Sequence, residues 1–342
     1  MRGRAMRVTK LTLLALLCAA LVAGAGCGGG EGAEPTPTPT PINHSLISMN
    51  SGTTNHLRGV WGTSPSDVFA VGEYGSILHY DGKTWSPMDS GTEYRICGIW
   101  GTSSNNVFAV GLGGTVLHWD GSSWSRTMLD PVRHLQGVWG KSSSDVFAVG
   151  WSGAIVHYDG NEWSDVYSGI NHLDIPQGYS LSFNSGWGSS SSDVYVVGGL
   201  ESVVDTDTDS ADGGGVILHY DGSEWSEVKC GSISYLKDVW GTSSSSVFAV
   251  GRCGSILHYN GSVWSEMNSS ISECLYGVWG TSSSDVFAVG NWGTLLHYDG
   301  SAWSTMESIT GKHLWGGVWC TASGDVYAVG ESGTIVHGFP ED

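Results

Sequence analysis

The residues best suited to chemistry recur at fixed positions along the chain. Seven of the twelve histidines, His79, His118, His157, His219, His258, His297 and His337, each precede an aromatic or a glycine in a step such as L-H-Y. Imidazole titrates near neutrality and ligates metals, so such residues are natural general bases or metal ligands. A catalytic or ligating histidine is not needed seven times in equivalent places. The reading that follows is structural, with each ring hydrogen-bonded inside its own repeat. Asp67, Asp145, Asp193, Asp285 and Asp325 precede an apolar V-F-A-V-like run and are expected to cap turns. Asp81, Asp120, Asp159, Asp221 and Asp299 open D-G hairpins. Thirteen of the 17 tryptophans fall in two framework slots, where packing between repeats explains them.

More informative are residues that break the pattern. Trp151, Trp292 and Trp315 lie outside the tryptophan framework, and Arg58, Cys97, Gln136, Lys237 and Tyr276 fill one variable slot after a leucine or isoleucine. Together with Tyr74, Arg95 and Arg252, the residues Arg58, Trp151, Tyr276, Trp292 and Trp315 form the candidate ligand-binding set. Aromatic platforms with scattered cations suit an anionic or glycan-like partner. A second candidate is the run Asp205-Thr206-Asp207-Thr208-Asp209-Ser210-Ala211-Asp212-Gly213. No cofactor is expected, although alternate carboxylates at Asp205, Asp207, Asp209 and Asp212 could share one Ca²⁺. The match to an EF-hand loop is partial, since Ser210 stands at the glycine position and Val216 at that of the bidentate glutamate. A solvated acidic loop is the commoner explanation. Cys97, Cys230, Cys253, Cys274 and Cys320 form an odd set, leaving at least one free thiol, with a Cys253–Cys274 or Cys230–Cys253 disulfide as the candidates.

These residues must be positioned by a repeat. Trp61, Trp100, Trp139, Trp187, Trp240, Trp279 and Trp319 each sit in a V-W-G-like step, spaced by 39, 39, 48, 53, 39 and 40 residues. A period near forty with several short strands predicts propeller blades. In the first unit the strands are expected at Leu57 to Trp61 (a), Asp67 to Val71 (b), Ser76 to Tyr80 (c) and Thr84 to Met88 (d). Gly62 to Ser66, Gly72 to Gly75 and Asp81-Gly82 are the turns between them. Strand b is apolar on both sides of the pleat, which requires a sheet above and a sheet below. The seventh unit stops at Gly338-Phe339-Pro340-Glu341-Asp342 without a W-S-x-M strand, while Leu46-Ile47-Ser48-Met49 aligns with Trp85-Ser86-Pro87-Met88. Pairing the two would close a ring and remove both exposed edges. The fold class is therefore all-β: a seven-bladed β-propeller of four-stranded blades over 42–342, its last blade completed by the N-terminal strand. The b–c loops and d–a connections should then share one face, which carries the candidate ligand residues and the long insertions Asp165 to Ser182 and Gly199 to Gly215.

The pattern V-W-G-T-S-S-S-D-V-F-A-V-G-x-x-G-T-I-L-H-Y-D-G-S-x-W-S resembles repeats of bacterial surface proteins related to BNR/Asp-box propellers. More remotely it is similar to photosystem II assembly-factor propellers. Asp81 to Trp85 spans one position fewer than the S-x-D-x-G-x-x-W pattern of sialidases. Because these families share blades and differ in ligands, the resemblance implies fold more than function. It raises a sialidase-like glycoside hydrolase as one alternative, with Arg58, Arg95 and Arg252 as an imaginable arginine triad, and a structural or assembly-factor propeller as another. The arginine motif of sialidases near the first blade is absent, and no Tyr/Glu pair stands out. There is no G-x-S-x-G, H-E-x-x-H or phosphate-cradling loop. The chain is expected to be a binder rather than an enzyme.

The N-terminus sets the compartment. Arg2, Arg4, Arg7 and Lys10 precede an apolar stretch from Leu11 to Ala23, a signal-peptide arrangement too short for a comfortable membrane span. Gly24-Ala25-Gly26-Cys27 resembles the lipobox of bacterial lipoproteins, which implies lipidation at Cys27. Residues 1–26 then form the signal peptide and 27–41 a Gly/Thr-Pro-rich tether. The signal segment holds four of the 14 Lys and Arg and none of the 33 acids, so the remainder carries about −23. Such an acidic chain argues against nucleic-acid partners. The expected protein is a monomeric, extracytoplasmic, lipid-anchored module on a bacterial membrane that recognises a protein or glycan.

Overall fold

A computed structural model describes residues 44–166, 175–202, 213–229 and 233–341. Among these residues twenty-eight strands form seven four-stranded antiparallel sheets. In blade 1 they are Leu57–Ser64 (a), Asp67–Gly72 (b), Ile77–Tyr80 (c) and Trp85–Met88 (d). Strand a runs three residues further than its apolar pattern predicts. Gly62 pairs with Val68 and Ser64 with Asp67, across a register shift that admits an extra residue, so the polar G-T-S segment still belongs to the ladder. The b strands are buried throughout their V-F-A-V runs, with Val68, Phe69, Ala70 and Val71 typical. Sheet stacking on both faces is what their unbroken hydrophobicity required.

The ring closes as expected. His44–Met49 pairs antiparallel with Ile335–Pro340, from His44 opposite Pro340 to Met49 opposite Ile335, and the seventh sheet has that strand at its outer edge. Met49 thus occupies the position that Met88 holds opposite Ile77 in blade 1. The a strands of successive blades pack side by side around the axis, and blade 7 meets blade 1.

Packing between blades explains the V-W-G step. A Cβ on Gly62 would lie 2.9 Å from the ring of Trp319, and one on Gly101 would lie 2.7 Å from that of Trp61. In blades 1, 2, 3, 5 and 6 the framework tryptophan of the preceding blade therefore rests on this glycine, while in blade 4 Trp139 meets Gly186 instead. Blade 7 has Cys320 in that slot, buried beside the partly buried Trp279. Burial pushes its thiol pKa well up, as expected for an inert cysteine.

The seven histidines are held as the repeat implies, and their partners stand just before the apolar run of strand b. His79 Nε2 lies 2.7 Å from Asp67 Oδ1, and the contact recurs as His157–Asp145, His219–Asp193, His297–Asp285 and His337–Asp325. Blade 2 uses Asn106 with His118, and blade 5 a longer 3.3 Å contact between Ser246 and His258. The aspartate also accepts from a hydroxyl of the a–b turn, Thr63 in blade 1, Ser189 in blade 4 and Thr281 in blade 6. This corrects the simpler expectation of a turn cap: the carboxylate ties strand c to the a–b turn. In a nucleophilic triad the imidazole stands between hydroxyl and carboxylate. Here the carboxylate stands in the middle, so the imidazole cannot deprotonate the hydroxyl. The hairpin aspartates do cap turns: Asp120 Oδ1 accepts from the backbone N–H of Ser122 and Ser123, and these bonds with the Ser122 hydroxyl bring its pKa down to about 2.

Blade 4 departs from the repeat. Its strands a and b lengthen to Tyr179–Ser190 and Asp193–Ser202, paired out to Tyr179 opposite Ser202. Parts of both insertions are thus an extended hairpin rather than loop, on the face that carries the b–c loops.

Candidate functional site

The b–c loops of blades 1, 2, 5, 6 and 7 share one compact geometry, a single 3₁₀ turn at Glu73–Gly75, Leu112–Gly114, Arg252–Gly254, Asn291–Gly293 and Glu331–Gly333. The central residue of each is left-handed. Blade 2 meets this with Gly113, but Tyr74 (φ 53°), Cys253 (φ 55°) and Trp292 (φ 56°) adopt it with full side chains. Such a conformation disfavours bulky residues, by about 1 kcal/mol or more. The result is that Tyr74 and Trp292 stand out from the loop tips, 75% and 66% exposed.

Inside this rim the a strands surround a cavity of about 380 Å³ at the mouth of the central channel. Of the eight ligand residues expected from sequence, the structure brings five to its wall: Arg58, Arg95, Trp151, Tyr276 and Trp315. Tyr74, Arg252 and Trp292 do not line it, because their loops project them outward or sideways. The variable slot also supplies Cys97, Gln136 and Lys237, and the lengthened hairpin of blade 4 supplies Glu201. Glu201 carries no repeat signal because it lies in an insertion.

The charges of the wall are organised locally. Arg58 donates through Nε and Nη2 to Glu73 Oε1, at 3.0 and 2.8 Å, and Arg95 Nη1 lies 3.5 Å from the same oxygen. Two guanidinium groups thus share one carboxylate and leave a surplus of positive charge. Arg95 Nε is buried and finds no acceptor among the described residues. A stack runs outward from here. The Arg58 guanidinium lies 5.1 Å from the Trp315 ring centre, Trp315 stacks on His313 at 4.9 Å and 9°, and His313 meets Trp292 at 4.3 Å. His56 packs edge-on against Trp315. On the other side Lys237 Nζ sits 4.6 Å from the Tyr235 ring centre and 5.6 Å from that of Tyr276, and Arg252 lies 5.0 Å from Tyr235. Tyr235 donates to Glu201 at 2.5 Å. The rim is braced across blades: the N–H groups of Ser332, Gly113 and Trp292 donate to Nδ1 of His56, His134 and His313.

Deeper in the channel Asp238 replaces the glycine that blades 1, 2, 3 and 6 carry as Gly59, Gly98, Gly137 and Gly277. Its carboxylate accepts from its neighbour Val239 N–H (2.9 Å) and from Val278 N–H of the next blade (2.8 Å), with Ser185 of the preceding blade also bonded. Enclosure by the ring outweighs these bonds and raises its pKa to about 6.

Other expected sites resolve differently. Cys253 and Cys274 are not bonded to each other, Cys253 being exposed at its loop tip and Cys274 half-buried in the next d–a connection, while the alternative Cys230–Cys253 pairing rests on a residue outside the described ones. Cys230 lies outside the described residues, as do Asp205, Asp207, Asp209, Asp212 and Cys27. Among the described residues no cluster of three or more His, Cys, Asp or Glu could hold a metal ion. The imagined arginine triad is not assembled, since Arg252 does not line the cavity while Arg58 and Arg95 converge on Glu73.

No family model and no curated protein matches the chain. Similar solved structures include YCF48 from Cyanidioschyzon merolae, 17% identical with a TM-score of 0.65, covering 87% of this chain and 99% of that one. A second, YCF48 bound to D1 peptide, is 17% identical with a TM-score of 0.67 over 89% of this chain and 99% of the other. The WD40 β-propeller domain of Doa1 is 12% identical with a TM-score of 0.69 over 88% and 98%. At these identities the likeness is one of fold.

Proposed function

We propose that this chain is a non-catalytic recognition module that takes a protein segment at the mouth of its central channel. The observation that carries the reading is the 380 Å³ cavity in which Arg58, Arg95, Trp151, Lys237, Tyr276 and Trp315 converge. Such a concave patch combines aromatic faces with a few placed polar groups, the usual composition of a binding site. The buried, unaccepted Arg95 Nε is a donor awaiting an acceptor, as a backbone carbonyl or acidic side chain would supply. That one similar propeller is described as bound to a peptide supports a peptide-like ligand here. An assembly or scaffold role would use the same surface. The exposed Tyr74 and Trp292 favour a second reading, a glycan stacked on the rim. We place the module outside the cytoplasm, anchored at Cys27 with 27–41 as spacer, and leave Ca²⁺ at Asp205 to Asp212 as a separate proposal testable by calorimetric titration.

The test is a parallel screen of the purified chain against peptide and glycan arrays, repeated with Arg95→Gln and Trp315→Ala. Saturable peptide binding lost in both variants is expected. Peptide binding that survives both substitutions would refute the assignment to the channel mouth. Glycan binding lost on Trp292→Ala would favour the rim reading instead.

A further inference from the structure

At the outer edge of the ring a methionine or valine plug on or just after strand d packs between blades in six places and is missing in one, where Leu129 is buried in the inter-blade core instead. On strand d or just after it, the residue facing the start of strand c is Met49, Met88, Val166, Val228, Met267 or Met306. Each is partly buried against an inter-blade core. Blade 2 alone differs: the residue opposite Val116, as Met88 is opposite Ile77, is Thr127, and it is exposed. Where the plug is missing there is a cleft of about 390 Å³ between strands c and d of blade 2 and the c–d hairpin of blade 3. Its floor is apolar and aromatic, from Val116, Phe108, Tyr158 and Trp163. Its lip carries Asp130 and Glu162, both exposed, and among the described residues no lysine or arginine lines it. His118 is on the wall, with Nε2 engaged by Asn106, and burial lowers its pKa, so the ring adds no positive charge near pH 7. Arg126, between Ser125 and Thr127, turns away to stack on Tyr94.

We propose that this cleft is a second binding site, independent of the channel mouth, for a lysyl or arginyl side chain of a partner protein. The aliphatic stem would take the space that methionine or valine fills in the other blades. The cationic head would meet Asp130 and Glu162 at the lip. Long basic side chains bury their stems against apolar surface while keeping the head near carboxylates and water, which is the shape and charge order of this cleft.

The test is an NMR titration of the full chain with acetyl-Gly-Gly-Lys-Gly-Gly-amide, following the Trp163 indole N–H and the Thr127 methyl. Comparison peptides carry arginine or uncharged norleucine in place of lysine, and maltotriose serves as a neutral sugar. Saturable shifts with lysine or arginine, at least tenfold weaker with norleucine, are expected. Thr127→Met should abolish them by restoring the plug, and Thr127→Val, the residue type of blades 3 and 4, should weaken them if the methionine variant folds poorly. Asp130→Asn with Glu162→Gln should reduce affinity about tenfold. Equal binding of norleucine, no shift with any peptide, indifference to both Thr127 variants, or shifts with maltotriose alone would each overturn the proposal.

Discussion

Asp238 should give the fold a pH dependence that a single substitution removes. Its pKa of about 6 in the folded chain exceeds the ordinary carboxylate value of 3.8 because the ring of blades desolvates it. Between pH 4 and 6 the folded state therefore holds a proton that the unfolded state has released, and stability falls as pH rises through that window. A shift of about two units corresponds to at most about 3 kcal/mol, less to the extent that solvent in the channel screens the charge. Asp238→Gly restores the residue of blades 1, 2, 3 and 6 and leaves the N–H groups of Val239 and Val278 facing the channel. The assay is urea unfolding of both proteins from pH 4 to 7.5. Relative to Asp238→Gly, the native chain should lose about 1–3 kcal/mol across that range. Other groups act in both proteins and cancel. The lowered carboxylates Asp120, Asp221 and Asp299 lose their contribution only near pH 2 to 4, and His118 and His258, lowered by burial, favour the fold as pH rises. A stability difference that stays constant from pH 4 to 7.5 would refute the reasoning.

Three further outcomes are expected. Deleting residues 44–50 removes the strand that completes blade 7 and exposes the edge of Ile335–Pro340, which should cost about 5 kcal/mol or more and lower the melting temperature by roughly 10 °C; an unchanged melt would disprove closure by that strand. Trp292→Gly replaces a strained left-handed residue with the type blade 2 already uses at Gly113, so scanning calorimetry should show stability unchanged or raised by up to about 1 kcal/mol. A thiol reagent should modify exposed Cys253 in the native chain within minutes, while buried Cys97 and Cys320 react only on unfolding; protection of Cys253 would point to a bridge.

Fold was legible because each repeat carries its own turn and packing signals. The unpaired Leu46 to Met49 strand, read beside a last unit lacking W-S-x-M, located the closure to within two residues. The role of Asp67 was less legible. It is two positions from Phe69, which faces His79 across the ladder, and the diagonal contact to the imidazole appears only once strands b and c twist together. Within the site, the variable slot after leucine was informative because strand a faces the axis, so Arg58, Gln136, Lys237 and Tyr276 arrive together. Tyr74, Arg252 and Trp292 lie outside the cavity wall: sequence shows that a b–c loop varies, but not that its central residue, Tyr74 or Trp292, is left-handed and exposed, nor that Arg252 packs over Tyr235. Glu201 was invisible inside an insertion. Asp238 in a glycine slot and Thr127 in a methionine slot were both readable as departures, but their consequences depend on what the neighbouring blades place beside them.

The most direct test of recognition at the channel mouth is site-specific photocrosslinking from Gln136, which lines the cavity, with Lys141 on the opposite face as control. A benzophenone amino acid would replace each in turn, and the chain would be irradiated in the cells that produce it. A discrete adduct from position 136, absent from position 141 and lost when Arg95→Gln and Trp315→Ala are added, is the expected result. Adducts from position 141 alone, or adducts at 136 that persist in the double variant, would contradict it.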